Sequence, residues 1–107
     1  MSQLIDFSTL GGPVFVGRAK GIFSRKQLSI DETDAAPGPV TIRIPADTYS
    51  VNSSFFLGMF GPSLDYFGSR ESFMEHYRFE APHHVMETLD SVMQTVLTNK
   101  DNTKLLP

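Results

Sequence analysis

Asn52, Ser53 and Ser54 stand immediately before the run Phe55-Phe56-Leu57-Gly58-Met59-Phe60, and these are the side chains best placed to do chemistry. Where a helix begins, short polar side chains accept hydrogen bonds from the first backbone N–H groups, and the positive end of the helix dipole favours an anion. The chemistry on offer is anion binding, or phosphorylation of Ser53 or Ser54, which would add about −1.5 to −2 charges at one small spot. Plain capping accounts for the same residues. Other constellations offer less. His76, His83 and His84 are the three histidines, but adjacent histidines on a helix cannot both face one ion, so no metal site is expected. A hydrolase built from Ser53, a histidine and Asp65 or Asp47 would lack the Gly-x-Ser-x-Gly elbow, so no catalytic residue and no cofactor are expected. Arg18, Lys20, Arg25 and Lys26 form a short basic stretch, which is either a solvated helix face or a patch for an acidic partner.

Composition narrows the classes further. A chain of 107 residues, 40% apolar and 20% charged, has the length and make-up of one globular domain with its own core. It contains no cysteine, which removes disulfides, thiolate catalysis and zinc-thiolate sites together. Twelve acidic and nine basic residues give a net charge of −3, with no basic cluster large enough to neutralise a run of phosphates, so nucleic acid is not an expected partner. The opening Met1-Ser2-Gln3-Leu4-Ile5-Asp6 has neither a basic leader nor a long apolar segment. No membrane span is expected, and the expected location is cytoplasmic.

The elements that must position the Asn52–Ser54 joint can be read from periodicity and punctuation. Gln3 to Phe7 and Pro13 to Val16, split by Gly11-Gly12, predict an N-terminal strand or hairpin. Arg18 to Ile30 has an approximately helical spacing of Ala19, Ile22, Phe23, Gln27 and Ile30, and Asp31 to Gly38 reads as a loop. Val40 to Ile44 is the clearest strand. After Asn52 the apolar positions Phe55, Phe56, Met59, Phe60 and Leu64 predict a helix, kinked or restarted at Gly61-Pro62 and stopped at Gly68. Because adjacent helical residues point in different directions, one of Phe55 and Phe56 is expected outside the core, at an interface. Ser69 should cap a short helix, Tyr77 to Glu80 should form a strand, and Pro82 should open a final helix. In that helix Val85, Met86, Leu89, Val92, Met93, Val96 and Leu97 form an apolar stripe. A single domain over 1–98, followed by a flexible tail over 99–107, is expected. Helices alternating with strands give an α/β class, with helices on one face of a small sheet.

Three segments in order, Gly17-Arg18-Ala19-Lys20-Gly21-Ile22-Phe23-Ser24-Arg25, Val40-Thr41-Ile42-Arg43-Ile44 and Ser53-Ser54-Phe55-Phe56-Leu57-Gly58-Met59-Phe60-Gly61, resemble the bacterial STAS-like domain family of unknown function. The resemblance spans roughly residues 13 to 97 and implies a small STAS-like domain, with a mixed sheet and helices packed mainly on one face. That family looks in turn like a relative of the anti-sigma-factor antagonists, whose phosphorylatable serine opens the helix after a central strand. By this resemblance Ser53 matches the phosphoacceptor and Ser54 the second serine, while Asn52 stands in place of an acidic residue. The function implied is a regulatory protein–protein interaction module that is not an enzyme. Asn52, Ser53, Phe55 and Phe56 would be its partner-binding residues, and its partner an ATP-binding, kinase-like anti-sigma protein. A homodimer is also expected. The alternative is a small scaffold or inhibitor, encoded by a phage or mobile element, that occupies a host protein without phosphorylation.

Overall fold

In a computed structural model that describes residues 3–105, with side chains to Thr98, the chain alternates strands and helices: β1 (Gln3–Asp6), β2 (Val14–Phe15), α1 (Arg18–Gln27), α2 (Ile30–Ala35), β3 (Val40–Arg43), β4 (Ser50–Val51), α3 (Ser53–Phe67), α4 (Arg70–His76), β5 (Tyr77–Glu80) and α5 (His83–Leu105). The strands form two sheets, β1-β3-β5 and β2-β4, and every pairing among the described residues is parallel. The α/β class holds, but the expected mixed sheet is corrected to parallel ones. The N-terminal strands do not form a hairpin either. Each pairs with a distant strand that follows a helical connection, as parallel pairing requires.

Val40 to Arg43 is the central strand of the larger sheet. Register places Ile5, Ile42 and Phe79 in one row and Val40 and Tyr77 in another, all turned toward the helices and buried or half-buried. The opposite face carries Leu4, Thr41 and Arg78, then Asp6, Arg43 and Glu80, with an exposed Arg43–Glu80 ion pair at 3.1 Å. Parallel sheets usually need both faces covered. Here the outer rows are mostly polar, so a single helical layer suffices.

α3 runs through the middle of that layer, against α1, α2, α4 and α5. Its position corrects the expectation for Phe55 and Phe56, because both are fully buried. Phe55 packs on Phe7 and Phe15, with ring centroids 6.0 and 5.4 Å away, while Phe56 turns to Phe60 at 6.3 Å. A helix enclosed on several sides buries side chains roughly 100° apart. Pro62 sits within α3, which neither stops nor restarts there, and Gly68 ends it in the left-handed conformation at φ 78°. Ser69 caps α4 by accepting from the Ser72 N–H at 3.1 Å.

Two further expectations change. The helix from Arg18 breaks at Leu28-Ser29, where Ser29 adopts φ 55°, and the segment read as a loop forms α2. α1 also presents an unexpected face to the core: Gly21, Ser24 and Arg25 are buried, while Ile22 and Phe23 are exposed. The apolar stripe of α5 packs as expected, with Val85, Leu89, Val92 and Met93 buried. The helix runs to Leu105; the tail expected over 99–107 falls where side chains are not described, and Leu106 and Pro107 lie outside the described residues.

Candidate functional site

β2 and β4 run parallel, Val14 beside Ser50 and Phe15 beside Val51, and each leads almost directly into a helix. The two helices therefore start side by side. Asn52 joins them: its Oδ1 accepts the Phe55 N–H at 2.9 Å, capping α3, and the Gly17 N–H at 3.2 Å, fixing the residue before α1. The Asn52 N–H in turn donates to the Phe15 carbonyl at 3.0 Å.

With Asn52 as the cap, Ser53 and Ser54 are left on the first turn of α3 with no hydrogen bond from either hydroxyl to another described residue. Both are exposed. Of the residues singled out from sequence, the fold thus brings Asn52, Ser53 and Ser54 to one surface spot, and it removes Phe55 and Phe56 from that surface. Exposed apolar side chains near the spot come instead from Val14, Val16 and Tyr49. Lys20 leans back over β2, donating to the Val14 carbonyl at 3.2 Å and lying 5.4 Å from the centre of the Phe15 ring. The Tyr49 carbonyl lies 3.0 Å from His84 Nε2, which ties β4 to the start of α5.

A second cluster, unforeseen from sequence, lies inside the fold. All five Arg25 donors find acceptors: Nε donates to Asp31 at 2.9 Å, Nη2 to Asp31 at 2.6 Å and to Asp34 at 2.8 Å, and Nη1 to the Met59 carbonyl at 2.7 Å and Ser63 Oγ at 2.8 Å. Asp34 also accepts from Ser63 Oγ at 2.8 Å and from the Tyr77 hydroxyl at 2.5 Å. Burial, and the Asp34 carboxylate it donates to, push the Tyr77 phenol far above its ordinary value. Perturbed groups of this kind often mark catalytic sites. Here Arg25, Asp34, Ser63 and Tyr77 are all buried, enclosed where α1, α2, α3 and β5 meet. The cluster is a clamp between α1, α2, α3 and β5. The sequence signal was faint: a basic residue in a helix and an acidic residue in an apparent loop.

Arg25 therefore leaves the surface basic stretch, whose remaining members Arg18, Lys20 and Lys26 stay exposed. His83 and His84 are also exposed, and His76 is half-buried against Phe67 with Nε2 2.7 Å from the Thr33 carbonyl. No group of three or more His, Asp or Glu side chains among the described residues is placed to hold a metal ion, and no helix among them is long and apolar enough to cross a membrane. The chain matches no family model, no curated protein and no solved structure.

Proposed function

We propose that this chain is a non-enzymatic, cytoplasmic protein–protein interaction module of the anti-sigma-factor-antagonist type, built on a STAS-like fold and switched by phosphorylation of Ser53. One observation carries the reading. Asn52 takes over the capping of α3 and the tie to α1, so the exposed Ser53 hydroxyl is free of structural duty at the place where two parallel helices begin. A phosphate there sits at the positive end of the α3 dipole, which the fold tolerates. A partner that dries the same spot does not tolerate it, because an unpaired charge enclosed in an interface costs several kcal/mol, roughly. The resemblance supplies the partner class, an ATP-binding kinase-like protein. Self-association belongs to the same reading, through the open edge at β1, where Leu4 is about half exposed.

The test compares Ser53→Asp with Ser53→Ala, both shown to be folded, in affinity capture from native cells with mass spectrometry of the captured proteins and of Ser53 itself. The switching reading expects Ser53→Asp to lose the partner and Ser53→Ala to keep it. Equal retention by both would sink phosphorylation control and leave an unswitched scaffold.

A further inference from the structure

Single exposed apolar side chains are ordinary on a helix, but large ones exposed together form the kind of patch that marks an interaction site. In α1 they lie in the middle: Phe23 is 66% and Ile22 45% exposed. Helical spacing sets Arg18 and Lys26 four residues to either side of Ile22, and Lys20 and Lys26 three residues to either side of Phe23. α1 contains no carboxylate. Beside this face runs a groove of about 340 Å³ between α1, α3 and α5, walled by Ile22, Leu57 and Val96 and floored by Gly58, Gly61 and Pro62. A side chain at Gly61 would enter this open space, since a Cβ there would meet nothing within 4 Å beyond its chain neighbours. Arg18 and Asp65 lie at its rim, one carboxylate against the three exposed cations of α1.

We propose that this face of α1 and the adjoining groove dock an acidic amphipathic segment of a partner protein, whose apolar anchors cover Ile22 and Phe23 and whose carboxylates meet Arg18, Lys20 and Lys26. Charge complementarity selects that occupant. The chain as a whole is acidic, at −3, so a local run of cations around an apolar centre is a contrast that steers an acidic partner to one face. A second copy fits poorly. Two α1 faces would oppose like charges, and α1 against an acidic face elsewhere on another copy would be head-to-tail and need not close. Helix-in-groove binding uses such a pattern of anchors. The inference deepens the interaction module proposed above and rests on it only for the premise that the partner is a protein. Because α1 and α3 begin side by side, a phosphate on Ser53 would lie at the same end of the helix pair as Arg18 and Lys20 and compete with the partner's carboxylates for them.

The experiment screens a displayed library of short peptides on the whole chain and measures the enriched peptides by fluorescence anisotropy. The expected outcome is enrichment of acidic sequences bearing aromatic or leucine anchors. Their affinity should fall by about tenfold or more with Phe23→Ser, with Lys26→Glu and with Gly61→Leu, the last filling the groove without altering charge. Circular dichroism confirms that each variant is folded. Enrichment of basic or neutral peptides, no enrichment, or undiminished binding to the Phe23→Ser and Lys26→Glu variants would overturn the proposal. So would preferential binding of a single-stranded oligonucleotide, or sedimentation showing that Phe23→Ser merely dissolves a homodimer. If instead Ser53→Asp discriminates the captured cellular partner while Phe23→Ser and Lys26→Glu hold it as the wild type does, the α1 face falls and the Ser53 reading stands.

Discussion

Gly21 of α1 and Gly58 of α3 meet backbone to backbone. A Cβ built on Gly21 would lie 3.1 Å from Gly58 Cα and only 2.2 Å from the Phe55 carbonyl oxygen, and one built on Gly58 would lie 2.3 Å from the Arg18 carbonyl oxygen. Helix propensity alone would make Gly21→Ala stabilising by about 1 kcal/mol. The approach reverses the sign: α1 must move off α3, and overpacking of this kind costs about 1–3 kcal/mol or more. Gly21→Ala should therefore lower the urea midpoint. Gly61→Ala, whose Cβ meets nothing beyond its chain neighbours, escapes that clash, but it stands before Pro62, whose ring crowds a preceding Cβ in a helix, so the usual gain of about 0.5–1 kcal/mol is largely offset. A clear loss for Gly21→Ala beside a near-neutral Gly61→Ala is the expected signature. If Gly21→Ala stabilises, the close helix contact is not there.

The Arg25–Asp34 pair makes a different demand. With side chains 9% and 5% exposed, the two charges are buried together, and Arg25 also holds Asp31. Arg25→Met should cost about 3–5 kcal/mol, since it strands the buried Asp34 charge. Arg25 keeps Asp31 when Asp34 is neutralised, so Asp34→Asn should be the milder of the two. Replacing both by apolar residues should cost less than the sum of the single changes, which denaturant unfolding of the four chains measures as a double-mutant cycle.

Tyr77 gives this clamp a pH dependence. Desolvation, followed by the hydrogen bond to Asp34 and its negative charge, raises the phenol well above its ordinary 10.0. Below about pH 10 the folded and unfolded chains both hold the proton, and the contribution is complete. Above it the unfolded chain loses its proton first, so stability falls as pH rises, until the folded phenol ionises as well. Unfolding curves from pH 8 upward should show this decline, and Tyr77→Phe should flatten it. Tyr77→Phe should also cost about 0.5–1.5 kcal/mol at neutral pH, the ordinary worth of one hydrogen bond. An alkaline decline identical in both chains would contradict the assignment.

What sequence made legible was whatever local rules decide. Val40 to Arg43 is a strand because of its β-branched alternation, α5 packs along its apolar stripe, and Asn52, Gly68 and Ser69 end or begin helices by their own geometry. The failures come from tertiary choices. Ile22 and Phe23 look like the core face of α1, but the close approach at Gly21 turns Ser24 and Arg25 inward instead. Phe55 and Phe56 are both buried because α3 has neighbours on several sides, a fact that no single-helix period contains. Asp31 to Gly38 reads as a loop because it is acidic and then Pro/Gly-containing, yet Ile30–Ala35 is helical and Asp34 is drawn in by Arg25, Ser63 and Tyr77, which lie nine to 43 residues away. The candidate site was legible at Asn52, Ser53 and Ser54, where it depends on a cap. It was not legible at α1, where it depends on which face the core leaves over.

The division of labour between Asn52 and Ser53 is the point at which stability and function separate. Asn52 Oδ1 satisfies two backbone donors, Phe55 N–H and Gly17 N–H, so Asn52→Ala should cost about 1–2 kcal/mol, at the upper end for a lost cap. Ser53→Ala removes a hydroxyl that bonds no other described residue and should change stability by less than about 0.5 kcal/mol. Ser53→Asp puts a negative charge in the first turn of α3 and should be neutral or stabilising by about 0.3–1 kcal/mol, less so as salt rises. Thermal unfolding of the three variants at low and high ionic strength checks the order. If Ser53→Ala proves as costly as Asn52→Ala, the hydroxyl is structural after all, and any loss of partner binding by a Ser53 variant would then report damage to the helix start and not the introduced charge.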